Sequence, residues 1–544
     1  MTRRLCIITL VCMSQYLFAQ GFLPEKEIKY KPDDWISYAM TRNMTSITLS
    51  ETHAYFASSG GILPYNIYRE SWDRPFTESD GLASNDVEIV AYDWETGFLW
   101  CVNRKAVSYF TPGPDEWRNM SFESLGIRSA YDLGMGKTAV WVAGANQLIR
   151  IDRSTGFQTN ENDGAEVADQ VEWSRRANGK TEIDLLDYFL PYGYFYKPDR
   201  HCFQDVQLRE YPVRSLKKDR FFHLFVSSEG LGAGFGSLHT LRINFKSYGP
   251  YTPDVRAMAW DGDTGMWLGG HSNSYETGGI TCWNMEQDEW QYFQAAFLSG
   301  MRSDQVNAIT VDTADVWLGT EDGLARYHRK NDLWRTFTTS NNLWGNQVLS
   351  LALDGPDLWI GTDNGLNRMG VSDGVIRRET HPQMNLRRIY WIEPDGDFVW
   401  VGSDWGALLY QKSTAEWQTV SGYPSIHETV VTAISAWDGQ VWFGTDDGVE
   451  MYDHATGEWR GFPDIHYEIG HVLSMMADHA VVWVGTTNGL LKYVKDEDRW
   501  HRYTTEDGLL HNAVQRILPD GDYIWLATPG GITRFYWNAP YRID

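Results

Sequence analysis

The chain has 544 residues, 42% of them hydrophobic and 22% charged, the balance of a globular protein with length for roughly two to four cores. A formal net charge of −25 argues against nucleic acid and anionic membrane surfaces as partners, because both are met by clustered Lys and Arg. Beyond residue 19 only Cys101, Cys202 and Cys282 remain, an odd number without framework spacing, so stability is not expected to rest on disulfides.

The N-terminus reads MTRRLCIITLVCMSQYLFAQ. Arg3 and Arg4 form a basic region, residues 5–13 an apolar run too short to span a bilayer, and Ala19 a small residue at a cleavage point. Residues 1–19 therefore read as a signal peptide, and the expected location is periplasmic, cell-surface or secreted. No later segment is apolar enough to span a membrane. The next element, DWISY within 34–40, matches LWRTF and RWHRY, the fourth strands of later repeats.

From residue 54 the chain repeats itself. AYFASSGGILPY (54–65) is the earliest copy, and later copies centre on Trp100, Trp141, Phe225 and Trp267. From there VWLGT, LWIGT, VWVGS, VWFGT, VWVGT and IWLAT place Trp at 317, 359, 400, 442, 483 and 525, with steps of 42, 41, 42, 41 and 42. Periods of this size mark stacked or radially arranged supersecondary units. In one unit QVNAITVD (305–312), VWLGT (316–320), LARYH (324–328) and LWRTFT (333–338) read as four strands. Glu-Asp-Gly, Asp-Asn-Gly or Thr-Asn-Gly joins the second to the third, the chemistry of a tight hairpin turn. Four antiparallel strands in about 42 residues describe a β-propeller blade.

The fold class is therefore all-β: tandem β-propellers of twelve four-stranded blades, with second strands near 55, 100, 141, 183, 225, 267, 317, 359, 400, 442, 483 and 525. The blade near Ile183 is the divergent one. Two six-bladed rings, 43–297 and 303–537, are the expected division, with the break in AFLSGMRSD; seven plus five is the competing split. The last copy lacks a fourth strand, and the segment 34–40 is expected to supply it and close the ring. Nine second strands carry Trp, from Trp100 to Trp525, and eight fourth strands do, from Trp35 to Trp500, so most of the 26 Trp are read as packing between sheets.

WLGTEDGLARY, TTEDGLLHNAVQRI (504–517) and FTESDGLASNDVEIV (76–90) resemble the two-component regulator propeller repeat, in which Asp-Gly-Leu, polar residues and Val precede the Trp-x-Gly-Thr strand. The resemblance runs over nearly the whole chain after the leader, and is strongest from 305 to 535. It implies a sensor- or secretion-associated propeller: such repeats form periplasmic sensor halves of hybrid histidine kinases, many recognising glycan fragments, and a surface component of type IX secretion. No kinase or C-terminal sandwich follows the last copy. The matching residues are the packing ones, so the family's motif carries no functional residue over.

Recognition is then expected where the repeat is broken. DYFLPYGYFYKPDRHCF (187–203) sets Tyr192, Tyr194 and Tyr196 near Arg200, rigid rings beside a guanidinium that suit a sugar or peptide. The competing reading is an irregular outer strand packing its own tyrosines. His271 opens the insertion HSNSYETGG (271–279), a binding loop in prospect. Trp344 replaces the Gly of Asp-Gly-Leu and Trp405 the turn residue before Gly406, which puts both on loops at a propeller face. Asp446 and Asp447 lack the ligand density of a calcium loop, so no metal is expected, and no cofactor. The histidines are scattered and neither H-E-x-x-H nor G-x-S-x-G occurs. The expected function is a non-catalytic recognition or scaffolding module for a glycan, peptide or protein partner. The alternative is an extracytoplasmic polysaccharide- or peptide-degrading lyase or hydrolase with its active site at the channel face.

Overall fold

The computed structural model describes residues 30–542 apart from 32, 146, 160–170, 176–183, 263, 273–277, 421–425, 427, 447 and 463–469. The leader, the second strand expected near Ile183, most of the 271–279 insertion and Asp447 thus lie outside the described residues. Among the described residues, antiparallel strands are broken only by turns, bends and short 3-10 segments, and they form eleven sheets. Second strands stand at eleven of the twelve expected places, from His53–Ser58 to Tyr523–Thr528.

One joint repeats between sheets and explains the motif. In Asp315–Thr320 every residue is buried, because both faces of the strand meet neighbouring sheets. Trp317 fills one side, and the Gly that follows two residues later is the contact point with the next blade. A Cβ on Gly319 would stand 2.7 Å from Val348, the first-strand residue of the following blade, and one on Gly361 would stand 2.8 Å from Ile389. Only glycine leaves that room. The motif's Thr then closes the turn: the Thr362 hydroxyl donates to the carbonyl of Gly365 at 2.8 Å, and Gly365 has φ +138°, a conformation open to glycine.

Seven sheets form a closed circuit. Blade 1 (254–293) packs on blade 2 (306–337), then in turn come blade 3 (348–378), blade 4 (389–419), blade 5 (431–461), blade 6 (472–503) and blade 7 (516–536). Blade 7 returns to blade 1 through Trp525 and Ala527 against Val255, Met258 and Leu268. Its fourth strand is Trp35–Ala39, paired antiparallel with Gly531–Tyr536 so that Trp35 lies opposite Phe535. Their rings stack at 3.7 Å between centroids, and the Ser37 and Thr533 hydroxyls lie 2.8 Å apart.

The division into six plus six is therefore corrected: blade 1 belongs to the C-terminal ring, which has seven blades. The segment 296–304 is an ordinary link within that ring, with Met301 packed between Trp267 and Trp334. The insertion HSNSYETGG lies inside blade 1, between its second strand Gly265–His271 and its third, Ile280–Asn284, so the 50-residue step from Trp267 to Trp317 marks no break. The chain passes between bodies at 247–253 instead.

The N-terminal body comprises a first sheet (44–72), a second (87–121), a third (130–159 with Glu172–Trp173) and a fourth (194–246). The fourth sheet packs on the first, the first on the second and the second on the third. Val171 and Trp173 cover the third sheet, packing against Trp141 and Gly134. The fourth has six strands. Its extra hairpin, Tyr194–Lys197 with Cys202–Asp205, brings Phe203 onto a core that Leu185 and Tyr188 also cover.

In the channel of the seven-bladed ring, Arg516 of blade 7 lies over the indole of Trp391 in blade 4 at 4.2 Å, a contact between non-adjacent blades. Beside it Glu393 accepts from Trp391 Nε1 and from the backbone N–H of Ala436, both at 3.4 Å. Burial pushes its carboxyl up to about 7, with Asp395 adding to the rise and the two hydrogen bonds and Arg516 opposing it.

Two outcomes follow. Deleting residues 20–40 removes the strand that closes blade 7, so limited proteolysis should cut residues 254–537 faster than in the full chain and should spare the N-terminal body by comparison. Because the folded Glu393 binds its proton more tightly than the unfolded one, its contribution to stability is full below about pH 4.5 and is lost as pH rises to about 7. Wild-type melting, compared with Glu393→Gln across that window, should show up to about 3 kcal/mol of pH-dependent difference; parallel curves would remove Glu393 as its source.

Candidate functional site: the cleft between the two bodies

Two chain segments cross between the bodies side by side, 40–43 outward from blade 7 and 247–253 back into blade 1. The Thr41 hydroxyl donates to the Tyr248 carbonyl, and Tyr292 donates to the Gly249 carbonyl at 3.0 Å. Arg42 lies over the Tyr251 ring at 4.3 Å. Gly249 has φ +81°, and a Cβ there would stand 2.3 Å from the Ala39 carbonyl oxygen, so the crossing requires glycine. Trp72 and Trp290 close on Tyr248 from opposite bodies, at 5.6 and 5.3 Å between centroids.

Beside this joint is a cleft of about 690 Å³. The N-terminal body lines it with Trp72, Tyr194, Tyr211 and Phe245, and the C-terminal ring with Tyr251, Trp290, Tyr292 and Phe297. Polar groups converge among these rings: Arg209, Lys246, Glu70, Asp288 and Gln294. Tyr194 stands 6.2 Å from Tyr211 and 6.3 Å from Phe245, while Tyr251 stands 5.4 Å from Tyr292. Arg209 spans the two bodies, its guanidinium 5.2 Å from the Phe297 ring.

Arg209, Asp288 and Gln294 are held by neighbouring side chains. Asp205 accepts from Arg209 Nε and from the Tyr211 hydroxyl, both at 2.9 Å. Burial alone would raise the Asp205 carboxyl, yet these hydrogen bonds and the Arg209 charge keep it below the ordinary carboxylate range. Burial raises the Asp288 carboxyl instead, against a hydrogen bond from Trp283 Nε1 at 3.4 Å. Burial likewise raises the hydroxyls of Tyr194 and Tyr292, so both are neutral at pH 7 and able to donate and accept. A concave site with aromatic walls and a few fixed polar groups has the composition of a ligand pocket.

The residues singled out in the sequence fall in several places. Tyr194 lines the cleft. Tyr192, at the mouth of the same hairpin, is fully exposed. Tyr196 is tied to His201 Nδ1 at 2.7 Å and packs on Phe203, and Arg200 pairs with Glu210 at 2.7 Å, so both hold their own hairpin together. His271 is at the channel mouth of the C-terminal ring, 2.9 Å from Asn307, whose side chain donates to Glu321 at 3.0 Å. Trp344 lies beneath Arg378 and donates to the Glu379 carbonyl at 3.2 Å. Trp405 lies beneath Arg387 and keeps 37% of its surface exposed. The structure does not gather these seven residues into one site. Sequence reasoning missed Tyr251, Trp290, Tyr292, Arg209 and Phe297. SYGPYTP (247–253), which contains Tyr251, marks the cleft once it is known to join the bodies; the other four residues carry no signal of their own.

Among the described residues no group of three or more His, Cys, Asp or Glu could hold a metal ion, and no helix is long and apolar enough to cross a membrane. No protein-family model matches the chain, and no curated protein matches it. The fold is that of a tandem β-propeller protein. Similar solved structures include the extracellular domain of the hybrid two component system BT4673 from B. thetaiotaomicron, at 15% identity over 96% of this chain and 72% of that one, TM-score 0.45. They include PorZ, a surface component of the type-IX secretion system of Porphyromonas gingivalis, at 14% over 91% and 74%, TM-score 0.47. The extracellular domain of the hybrid two component system BT3049 from B. thetaiotaomicron gives 13% over 93% and 76%, TM-score 0.44. These are proteins of the kind the repeat sequence resembles, and the likeness is one of fold.

Trp359 is fully buried between blades 3 and 4, so Trp359→Ala should cost roughly 3–5 kcal/mol through the cavity it leaves. Trp405→Ala gives up a half-exposed ring and one cation–π contact of about 0.5–1 kcal/mol, so its melting curve should stay close to wild type. Thermal denaturation of the two variants side by side checks this, and equal destabilisation would make Trp405 a packing residue like Trp359.

Proposed function

We propose that the chain is an exported, non-catalytic recognition or scaffolding module, and that its ligand, a glycan or extended peptide, lies in the cleft between the two bodies. The observation that carries this reading is the convergence of eight aromatic side chains from both bodies around a few fixed polar groups. Tyr and Trp rings offer large contact area at low entropic cost and keep a polar tip for hydrogen bonding. The resemblance of the repeats to periplasmic sensor propellers supports the same reading, as does the leader for export. Residues 1–19 are taken as that leader; N-terminal sequencing of protein recovered from an exporting host should begin after Ala19.

Binding should depend on both walls. Titration calorimetry against a panel of oligosaccharides and unstructured peptides should find a ligand whose affinity falls at least about tenfold in Tyr194→Ala and in Tyr251→Ala, the loss of roughly 1.4 kcal/mol or more that an aromatic anchor contributes. Unchanged affinity in both variants would move the site elsewhere. Sustained depolymerisation of a polysaccharide or peptide by the purified chain would replace the recognition reading with the lyase or hydrolase alternative.

A further inference from the structure

The cleft does not end at the crossing segments. A second groove of about 590 Å³ runs between the first and fourth sheets of the N-terminal body, and Glu70 and Lys246 line both. The strand Arg242–Lys246 forms one wall of this groove, with Arg242, Asn244 and Lys246 alternating onto one exposed face. Tyr65 and Phe235 lie beneath them, the Lys246 ammonium 6.0 and 5.6 Å from the two rings.

The charge of this region departs from that of the chain. Overall the balance is −25, yet residues 194–246 hold nine Lys or Arg against five Asp or Glu. Five of the nine form ion pairs: Lys197 and Arg200 with Glu210, Arg209 with Asp205, Arg214 with Glu229 and Arg220 with Glu51. Arg242 and Lys246 form no ion pair with any described residue. Glu70 is the one carboxylate among the described residues lining the groove, and it sits at the junction with the cleft. Four residues of extended strand set the Cα atoms of Arg242 and Lys246 about 13 Å apart, a span longer than one pyranose unit. Solvent-exposed cations left unpaired in an acidic chain, beside aromatic rings and along a continuous trough, fit a ligand that brings its own negative charges at intervals.

We infer that the trough takes an acidic oligosaccharide, its sugar faces against the aromatic rings and its carboxylates or sulfates at Arg242 and Lys246. This rests on the recognition reading of the cleft and narrows it to a substrate class. Arg supplies a planar fork for a carboxylate or sulfate and Lys a compact point charge, while Asn244 between them can both donate to and accept from sugar hydroxyls.

The test uses the mature full chain and three hexasaccharides: oligogalacturonate, chondroitin sulfate and the uncharged cellohexaose. Calorimetry should detect binding of at least one acidic probe, at least about tenfold tighter than cellohexaose. Arg242→Gln with Lys246→Gln should weaken that binding about tenfold or more while leaving thermal melting unchanged, since both side chains are exposed. Preference for galacturonate assigns carboxylates as the recognised group, and preference for chondroitin sulfate assigns sulfates. The inference is overturned if cellohexaose binds as tightly as both acidic probes, if none of the three binds, or if the double substitution leaves acidic binding unchanged. Cellohexaose binding that is lost in Tyr251→Ala and indifferent to the double substitution would overturn the acidic class while leaving the recognition reading intact.

Discussion

Every sheet-to-sheet contact in the C-terminal ring depends on how closely one blade's second strand can approach the next blade's first strand. At six of the seven joints that distance is set by a single missing side chain. Val348 against Gly319, Ile389 against Gly361, Val431 against Gly402, Val472 against Gly444 and Val514 against Gly485 are the same joint five times over. At these joints a side chain in place of the glycine would push the blades apart at their inner edges; at the closing joint Ala527 stands in the glycine's position against Val255, the smallest side chain that could take it. The Trp of the motif fills the volume further out, which is why Trp359, Trp400, Trp442 and Trp483 are all fully buried. Close approach near the axis and bulk away from it give each blade its wedge shape, and wedges make a ring.

The same joint explains what could be read in advance and what could not. Strand positions were legible because Trp-x-Gly-Thr, a Gly-containing turn and a β-branched first strand are each demanded by local geometry. The closing role of Trp35 was legible because its segment has the chemistry of a fourth strand and the last copy lacks one. The membership of blade 1 was not legible. Val306 meets Gly269 as Val348 meets Gly319, so a joint between blades carries no mark of which ring it serves. The insertion in HSNSYETGG lengthens the step from Trp267 to Trp317 without changing what the blade packs on, so it does not tell which ring the blade serves either.

Of the candidate site, Tyr194 was legible because it breaks the repeat. Its partners across the cleft were not. Trp290 sits at a fourth-strand position that elsewhere means packing, and here it both packs and lines the cleft. Tyr292 has no local signature, and Tyr251 carries one only in SYGPYTP, whose meaning appears where the two bodies meet. Trp344, Trp405 and His271 break the repeat too, and the structure ties each of them to neighbours within the C-terminal ring. An interruption of the pattern marks a position released from the blade joint, without saying whether a ligand or a neighbouring loop has taken it up.

The pairing of Trp35–Ala39 with the last strand also bears on how the protein is made. Ser37 and Thr533, which meet in that pairing, lie 496 positions apart, so the first strand to leave the ribosome is the last to find its partner. At about 5–20 residues per second that interval is roughly half a minute or more. Throughout it the N-terminal body can fold, since the chain from 44 to 246 is complete early and forms its own sheets. The strand meanwhile stays tethered beside that folded body by four residues, 40–43, which keeps it near the place where blade 1 will later emerge. The N-terminal body is thus an insertion within the seven-bladed ring, set between its closing strand and its first blade.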